Sequence, residues 1–319
     1  MARRDFRQLG LADSIVQRRG KKTAWLERLD AALDWPALET IVEGIYASRE
    51  GGRAYPLLTY AKLLLLQQGY GLSDEGLEAA VDDRLSFRRF AGIPLAESVP
   101  DHSSVWRFRE ELAKRGLAER LLAEVNRQLD TKGLILRRGT LIDATILEAA
   151  VRPPGGDAGE VSARDPQAGW TRKNGKSRFG YKAHVAADEG SGLVREAAMT
   201  PADVHDSVPA DDLVRGDEAA VYADKAYDSE HRRADLRARG IEPRIMYQAR
   251  RNRPLRPWQV AFNRAVAPIR AGVERLFATM KRAYGHRRVR YLGLARNEVQ
   301  LQVLCAAINL RRALALGLT

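Results

Sequence analysis

The sequence has few of the features that mark secreted, membrane or thiolate-metal proteins. Its 319 residues include one cysteine, Cys305, and therefore no CxxC pair of metal ligands. No apolar signal segment follows MARRDFRQLG, and no apolar run approaches the roughly 20 residues that span a bilayer. With 45% apolar and 29% charged residues, the chain should form one large or two ordinary globular domains. These absences predict a cytoplasmic protein with Cys305 in its core.

Acidic residues are scarce in the last 90 positions. From Glu230 to Thr319 there are 20 Lys and Arg against 5 Asp and Glu, whereas residues 1–229 carry 33 against 36. The formal net charge of +12 is therefore a property of the C-terminal part. Concentrated arginine is typical of proteins that bind a polyphosphate such as DNA or RNA. A solvated basic surface, or an arginine-rich genome, is the alternative interpretation.

Residues 1 to about 130 are predicted to be helical. In YPLLTYAKLLLLQQ, Pro56 lies at a position typical of the start of a helix. LSDEGLEAAVDD and SSVWRFREELAKRG have helical spacing. The expected N-caps of the latter two are Ser73 and either Asp101 or Ser103. Because the region is not net basic, we favour a bundle that packs or dimerises. The alternative is a helix-turn-helix DNA reader with Arg107 and Arg109 facing phosphate.

After Lys132 the pattern changes to that of a mixed α/β domain. GTLIDATILEAA predicts a strand that carries Asp143, and EAAVYAD predicts a later strand that ends at Asp224. Between them, FGYKAHVAAD and LVREAAMT predict a hairpin around EGSG, with Lys182 and His184 on one face of its first strand. A helix and a short strand, EPRIM, follow. This order fits a mixed sheet with helices on its faces, in which the two aspartates lie on neighbouring strands.

The Gly-rich, Pro-rich and charged residues 152–178 are predicted to form a long irregular connection. Within it, NGKS at Asn174–Ser177 lacks the spacing of a phosphate-binding P-loop. It is predicted to be a hairpin tip or a basic loop in contact with DNA. Trp170 is interpreted as a packing anchor, with base stacking as the alternative.

A candidate third acid lies in VAPIRAGVERLFATMKRAYG. Arg270, Glu274 and Lys281 recur there at helical spacing and form a stripe beside the apolar face. Such a stripe can hold a carboxylate over a metal ion while its cations bind the adjacent phosphates. A lone aspartate at a strand end is more often a cap or an ion-pair member. Glu298 is the strongest rival third acid, but it lacks the flanking cations.

TLIDATILEA, YADKAYDS and R-x3-E-x6-K closely resemble the three catalytic segments of bacterial insertion-sequence transposases of the DDE type. The resemblance covers nearly the whole chain, including the helical N-terminal segment. It implies an α/β fold, namely an RNase H-like mixed sheet flanked by helices and preceded by an all-α N-terminal domain. Residues 1–130 would then serve dimerisation or DNA-end binding. Residues 131–319 would form the catalytic domain with basic C-terminal helices.

The resemblance also implies the site. Its catalytic residues and metal ligands are Asp143, Asp224 and Glu274, which would hold two Mg²⁺ ions, with Mn²⁺ as the expected substitute. Arg270 and Lys281 match the flanking signature and are the implied DNA contacts. Arg275, Lys182 and His184 are further expected DNA contacts, on their charge and position in this sequence. The full signature of related transposases has a tyrosine three residues before the arginine, where this chain has Ala267. No role of that tyrosine is carried over.

The function implied by the resemblance is DNA transposition. The protein would bind the terminal inverted repeats of an insertion sequence, cleave at the element ends, and join the 3′-OH to target DNA by two-metal phosphoryl transfer. Its partner would be double-stranded DNA, with no nucleotide cofactor, in the cytoplasm and associated with the nucleoid. Synapsis of two ends predicts a homodimer. The alternatives are a metal-dependent nuclease on the same fold, and an inactive DNA-binding regulator derived from a transposase.

Overall fold

The computed structural model describes residues 24–46, 54–155, 160–173 and 175–318, which form two compact units. One unit contains the described residues up to Lys132 together with Gln302–Leu318, and the other contains the described residues of Gly133–Leu301. The sequence predicts one domain over residues 131–319. The end of the last helix, from Gln302 to Leu318, groups with the helical unit, where side chains such as Leu304 and Leu310 are buried. Cys305 is buried there too, as predicted.

The helical unit begins with seven α-helices within the described ranges. They are α1 Ala24–Ala32, α2 Trp35–Val42, α3 Leu57–Tyr70, α4 Asp74–Asp83, α5 Leu85–Ala91, α6 His102–Arg115 and α7 Leu117–Thr131. Two predicted N-caps are confirmed, because the side chains of Ser73 and Asp101 accept the backbone N–H groups of Gly76 and Ser104. In the part of the chain that the structure describes, no helix combines the length and apolarity needed to cross a bilayer.

Arg109 has a structural position inside this unit. Its side chain is 1% exposed and pairs with Asp74 at 2.5 Å. A buried arginine held by a carboxylate is not available to a phosphate, so the helix-turn-helix alternative loses one of its two proposed contacts. Arg107 is exposed and bonds only to the Ser103 and Ser104 oxygens of its own helix among the described residues.

The second unit is built on a six-stranded mixed sheet. Its elements are β1 Thr140–Glu148, β2 Gly169–Lys173, β3 Lys176–Asp188, β4 Val194–Pro201, β5 Ala220–Ala223, α8 Glu230–Ala238, β6 Glu242–Ile245, α9 Pro257–Ala283 and the first part of α10 Leu294–Ala315. The strand order is β2-β3-β1-β5-β6, and β4 also pairs with β3. The pairs β1–β5 and β5–β6 are parallel, whereas β3 is antiparallel to β1, β2 and β4. The predicted hairpin is thus β3–β4.

Strand β2 corrects one prediction, because it lies within the stretch expected to be irregular. The apolar side chain that supports it is Trp170, whose ring packs on Phe179 with centroids 5.2 Å apart. The Trp170 indole N–H also donates to the carbonyl of Glu160 at 3.0 Å. Trp170 is therefore a packing anchor in this structure. Asn174, the first residue of NGKS, lies outside the described residues, and Lys176 and Ser177 begin β3.

Helix α9 crosses strands β1 and β5. The crossing is close at Gly272, where a Cβ atom would lie 2.7 Å from Leu141 Cδ1. Leu141 in turn pairs with Tyr222 in the parallel β1–β5 ladder. A glycine at this point lets the helix backbone approach the two strands that carry the predicted aspartates.

The close approach of β3 to the end of β1 leaves no room for a side chain at Gly180. Its φ is +151°, and a Cβ atom there would lie 2.1 Å from the carbonyl oxygen of Leu147. Backbone atoms cannot yield as a side-chain end can, so Gly180→Ala should lower the free energy of unfolding by about 2–3 kcal/mol. Urea unfolding measures this. Gly155→Ala, whose Cβ would meet no described atom within 4 Å, should change it little. Equal stability of both variants would contradict the prediction.

Candidate active site

Strands β1 and β5, which lead to Asp143 and Asp224, are neighbours in the sheet as expected, and they pair in parallel. Asp143 is the fourth residue of β1, and Asp224 directly follows β5. The register Thr140↔Val221 and Leu141↔Tyr222, continued for two residues, places Asp143 opposite Asp224. Strand β5 ends here because Asp224 caps the 3₁₀ turn Lys225–Tyr227, its Oδ1 accepting the Lys225 N–H at 2.6 Å.

Arg270 of α9 joins the two carboxylates. Its Nη2 donates to Asp143 Oδ2 at 3.0 Å, and its Nη1 lies 3.8 Å from Asp224 Oδ1. The arginine side chain is only 9% exposed. Burial raises the pKa of Asp143, and the charge of Asp224 adds to this, whereas the Ala144 N–H and Arg270 oppose it. The pair is thus a concentration of negative charge that one cation partly neutralises.

Glu274 is not in contact with this pair. It lies on α9 four residues after Arg270, on the same side of the helix and about 6 Å further along its axis. It is exposed and pairs with no described cation. Within the described ranges, no three acidic, histidine or cysteine side chains come close enough to hold a metal ion. The structure therefore brings together two of the three predicted acids.

Comparison with known families shows which proteins combine these features. Residues 135–310 match the family described as Transposase DDE domain, and residues 14–111 match Transposase domain (DUF772). This chain belongs to the DDE transposase family. The match implies an RNase H-like fold, which agrees with the observed mixed sheet and confirms the predicted fold class. No solved structure matches the transposase.

The predicted DNA-contacting cations of the transposase occupy different environments. Lys281 donates to the carbonyl of Ile146 on β1 at 3.1 Å, and Arg275 is exposed on α9. Lys182 is largely enclosed: it pairs with Asp206 at 2.7 Å and donates to the carbonyl of Val204. Lys281 and Arg275 thus have polar groups at or near the surface, and Lys182 is held by a loop.

His184 is fully buried in β3. Its Nε2 lies 2.8 Å from the hydroxyl of Thr200 on β4. Most residues of β3 are buried on both faces of the strand. The alternation of polar and apolar residues in the sequence therefore did not reveal that His184 is buried. The position of His184 gives no support to a direct contact with DNA, because the ring has no exposed surface.

Burial of His184 predicts acid sensitivity. It lowers the pKa of His184 from 6.5 to about 4, so the unfolded chain binds this proton more readily than the folded chain. Stability is therefore lost as the pH falls from about 6.5 towards 4, by about 3 kcal/mol for this residue. The free energy of unfolding should depend less steeply on pH over that range in His184→Asn than in the wild type. His231→Asn, which changes a residue on the surface of α8, should leave this dependence unchanged. Identical pH profiles for the wild type and His184→Asn would contradict this.

Tyr227 is a site residue that sequence reasoning missed. It ends the 3₁₀ turn after Asp224, is 2% exposed, and its hydroxyl has no hydrogen-bond partner in the described part of the chain. Burial raises the pKa of this hydroxyl, and the charges of Asp143, Asp206 and Asp224 raise it further. A phenol therefore stays protonated beside the aspartate pair. Its only signal in the sequence was its place in YADKAYDS.

Two other acids of this unit have structural partners. Asp228 pairs with Arg233 at 2.8 Å and accepts the Gln248 N–H. Glu298 on α10 accepts the backbone N–H of Met199 on β4 at 2.7 Å. A carboxylate that fixes a strand in this way has a structural role that explains its presence. Glu274, in contrast, has no such partner among the described residues.

Proposed function

We propose that this transposase cleaves DNA at the ends of an insertion sequence and joins the freed 3′-OH to target DNA. The observation that carries the proposal is the pair Asp143 and Asp224, which lie side by side at the β1–β5 parallel pair and share the cation Arg270. Membership of the DDE transposase family supports a polynucleotidyl transferase chemistry. The substrates would be the terminal inverted repeats and target duplex, bound without a nucleotide cofactor.

The aspartate pair fits the divalent metals that this family generally uses. Carboxylate oxygens are the hard donors that Mg²⁺ prefers, and Arg270 already holds a positive charge between them. Asp143, Asp224 and Glu274 would hold the ions. Two bound Mg²⁺ or Mn²⁺ ions would supply an activated water or 3′-OH and would neutralise the leaving oxygen.

The residues of α9 have complementary tasks in this proposal. Glu274 lies on the same stripe as Arg270, so the third acid and the cation that neutralises the other two belong to one rigid element. Arg270 would exchange its carboxylate partners for a DNA phosphate, to which a guanidinium donates equally well. Lys281 and Arg275 would neutralise phosphates further along the helix. Since an element has two ends, a homodimer would supply one site per end.

A joining assay tests the proposal. The purified full chain is incubated with labelled DNA carrying its own element end and with a target plasmid, in Mg²⁺ and then in EDTA. We expect cut ends and plasmid-joined products in Mg²⁺, and neither in EDTA. Cut ends without joined products would favour the nuclease. Binding of the end DNA with neither product would favour the regulator.

A further inference from the structure

A strongly basic cleft lies beside the C-terminal half of β1, outside the aspartate pair. It is open to solvent, has a volume of about 440 Å³, and includes Thr145 and Ile146 in its wall. We call it the hairpin cleft, because three of its cations come from the β2–β3 hairpin. Its charged residues are Lys173, Lys176, Arg178, Lys281, Arg287 and Glu148.

The charges in the hairpin cleft do not balance. Its one carboxylate, Glu148, already pairs with Arg178 at 3.2 Å and with Arg288, outside the lining, at 3.5 Å. The other four lining cations pair with no acidic side chain in the described part of the chain. Burial lowers the pKa of Lys281, and the neighbouring positive charges of Lys173, Arg287 and Arg178 lower it further. Such mutual repulsion is relieved by a ligand that carries several negative charges.

The hairpin that carries these cations is fixed in place. Lys173 and Lys176 face each other in the β2–β3 ladder, and Trp170 packs on Phe179 at its base. On the other wall, Lys281 is tied to the β1 backbone by its bond to Ile146. The cations thus extend from a strand pair and a helix, so little backbone freedom is lost when a ligand binds.

The cleft lies at a defined separation from the aspartate pair. Along β1, Ile146 is three residues past Asp143, which corresponds to about 10 Å. Along α9, Lys281 is eleven residues past Arg270, or about 16 Å. One DNA strand rises 3.4 Å per nucleotide along the duplex axis, so a duplex whose axis runs from the aspartate pair to the cleft would span these separations in about three to five nucleotides.

We propose that the hairpin cleft binds backbone phosphates of the DNA substrate about three to five nucleotides from the phosphate that is cut. The proposal rests on the proposed function for its ligand. It assigns Lys173, Lys176, Arg178 and Arg287 to the DNA interface, in addition to Lys281. The ligand is the phosphodiester backbone, so these contacts position the strand and do not distinguish base sequences.

The first test measures how the binding of the full chain to a generic duplex of about 30 base pairs, which is longer than the site, depends on the salt concentration. Lys173→Ala/Lys176→Ala removes two exposed cations of the cleft. Each lost phosphate contact should reduce the slope of log K against log salt by about 0.9, so we expect a reduction of about 2 and weaker binding by about tenfold. The matched control is Arg237→Ala/Arg244→Ala, which removes two exposed cations from α8 and β6. Equal slopes for the two variants would overturn the proposal.

The second test locates the contact along the DNA. Neutral methylphosphonate linkages are introduced one at a time around the cleavage site of the end DNA. Those about three to five nucleotides away should weaken binding by the wild type, and should weaken it less in Lys173→Ala/Lys176→Ala, which keeps three of the five cations of the cleft. An interference pattern that is the same in both proteins would overturn the proposal. The proposal would also be overturned if Lys173→Ala/Lys176→Ala lost the binding of inorganic tripolyphosphate but kept the binding of DNA. That result would assign the cleft to a small polyphosphate.

The two proposals fail in different ways. The salt slope needs no catalysis, so a protein that shows the slope change but never joins DNA would retain the cleft and refute the proposed function. If Lys173→Ala/Lys176→Ala joined DNA at the wild-type rate and its binding had the wild-type salt slope, the cleft proposal alone would be refuted.

Discussion

Asp143→Asn and Asp224→Asn should each lower the rate of DNA joining by about 1000-fold or more, which corresponds to about 4 kcal/mol of transition-state stabilisation. The amide keeps the size of the side chain but removes the negative charge that a divalent cation needs. Duplex binding should stay within about threefold of the wild type, because both variants keep every cation of the proposed DNA interface. Single-turnover joining of a labelled element end measures the rate.

The two variants should fold normally, and this separates catalysis from stability. Since burial raises the pKa of Asp143, ionisation of its carboxyl opposes folding at neutral pH. The melting temperature of Asp143→Asn relative to that of the wild type should therefore increase as the pH rises above about 4, the pKa of the carboxyl in the unfolded chain. Asp212→Asn, an exposed aspartate of the same unit, is the matched control and should join DNA at the wild-type rate. Joining at that rate by Asp143→Asn would remove Asp143 from the catalytic set.

Glu274→Gln should lower the joining rate by about 100-fold or more, and should leave the melting temperature unchanged. Glu274 is exposed and pairs with no described cation, so its carboxylate contributes little to folding. Its proposed contribution is the third oxygen donor, supplied by the helix that also carries Arg270. The rate should be measured in Mg²⁺ and in Mn²⁺, because a weakened site should respond to metal identity and concentration more strongly than the wild type.

Glu298→Gln provides the opposite pattern. Glu298 accepts the Met199 N–H, and replacing this charge-assisted bond by a neutral one should cost about 1 kcal/mol of stability. The joining rate of the folded variant should stay near that of the wild type. If Glu298→Gln abolished joining while Glu274→Gln did not, the third acid would be misassigned.

Much of the fold could be predicted because local signals agreed with the tertiary arrangement. Ser73 and Asp101 cap the helices that they are expected to cap, and the strands expected to lead to Asp143 and Asp224 are neighbours in the sheet. Residues 269–281 have helical spacing throughout, which placed Arg270, Glu274 and Lys281 on one helix. These are features of contiguous segments, which a sequence displays directly.

The remaining features depend on contacts between distant segments. The bond between Arg270 and Asp143 joins residues 127 positions apart, and the sequence suggested only that Arg270 faces phosphate. His184 has the alternation of an exposed position, yet elements remote in the chain cover both faces of β3. The hairpin cleft combines cations from the β2–β3 hairpin with cations from α9 and the segment after it. Strand β2 was hidden among glycines and charges, because one tryptophan supplies its packing.

We propose above all that Asp143, Asp224 and Glu274 together form a divalent-metal centre. Counting the Mn²⁺ ions bound to the full chain in complex with element-end DNA tests it most directly. Electron paramagnetic resonance measures free Mn²⁺, and a triple variant with Asp143→Asn, Asp224→Asn and Glu274→Gln gives the background from the DNA. We expect two ions above that background in the wild type, and one or none in Asp143→Asn and in Glu274→Gln. The same number of ions in the wild type and in the triple variant would contradict the account.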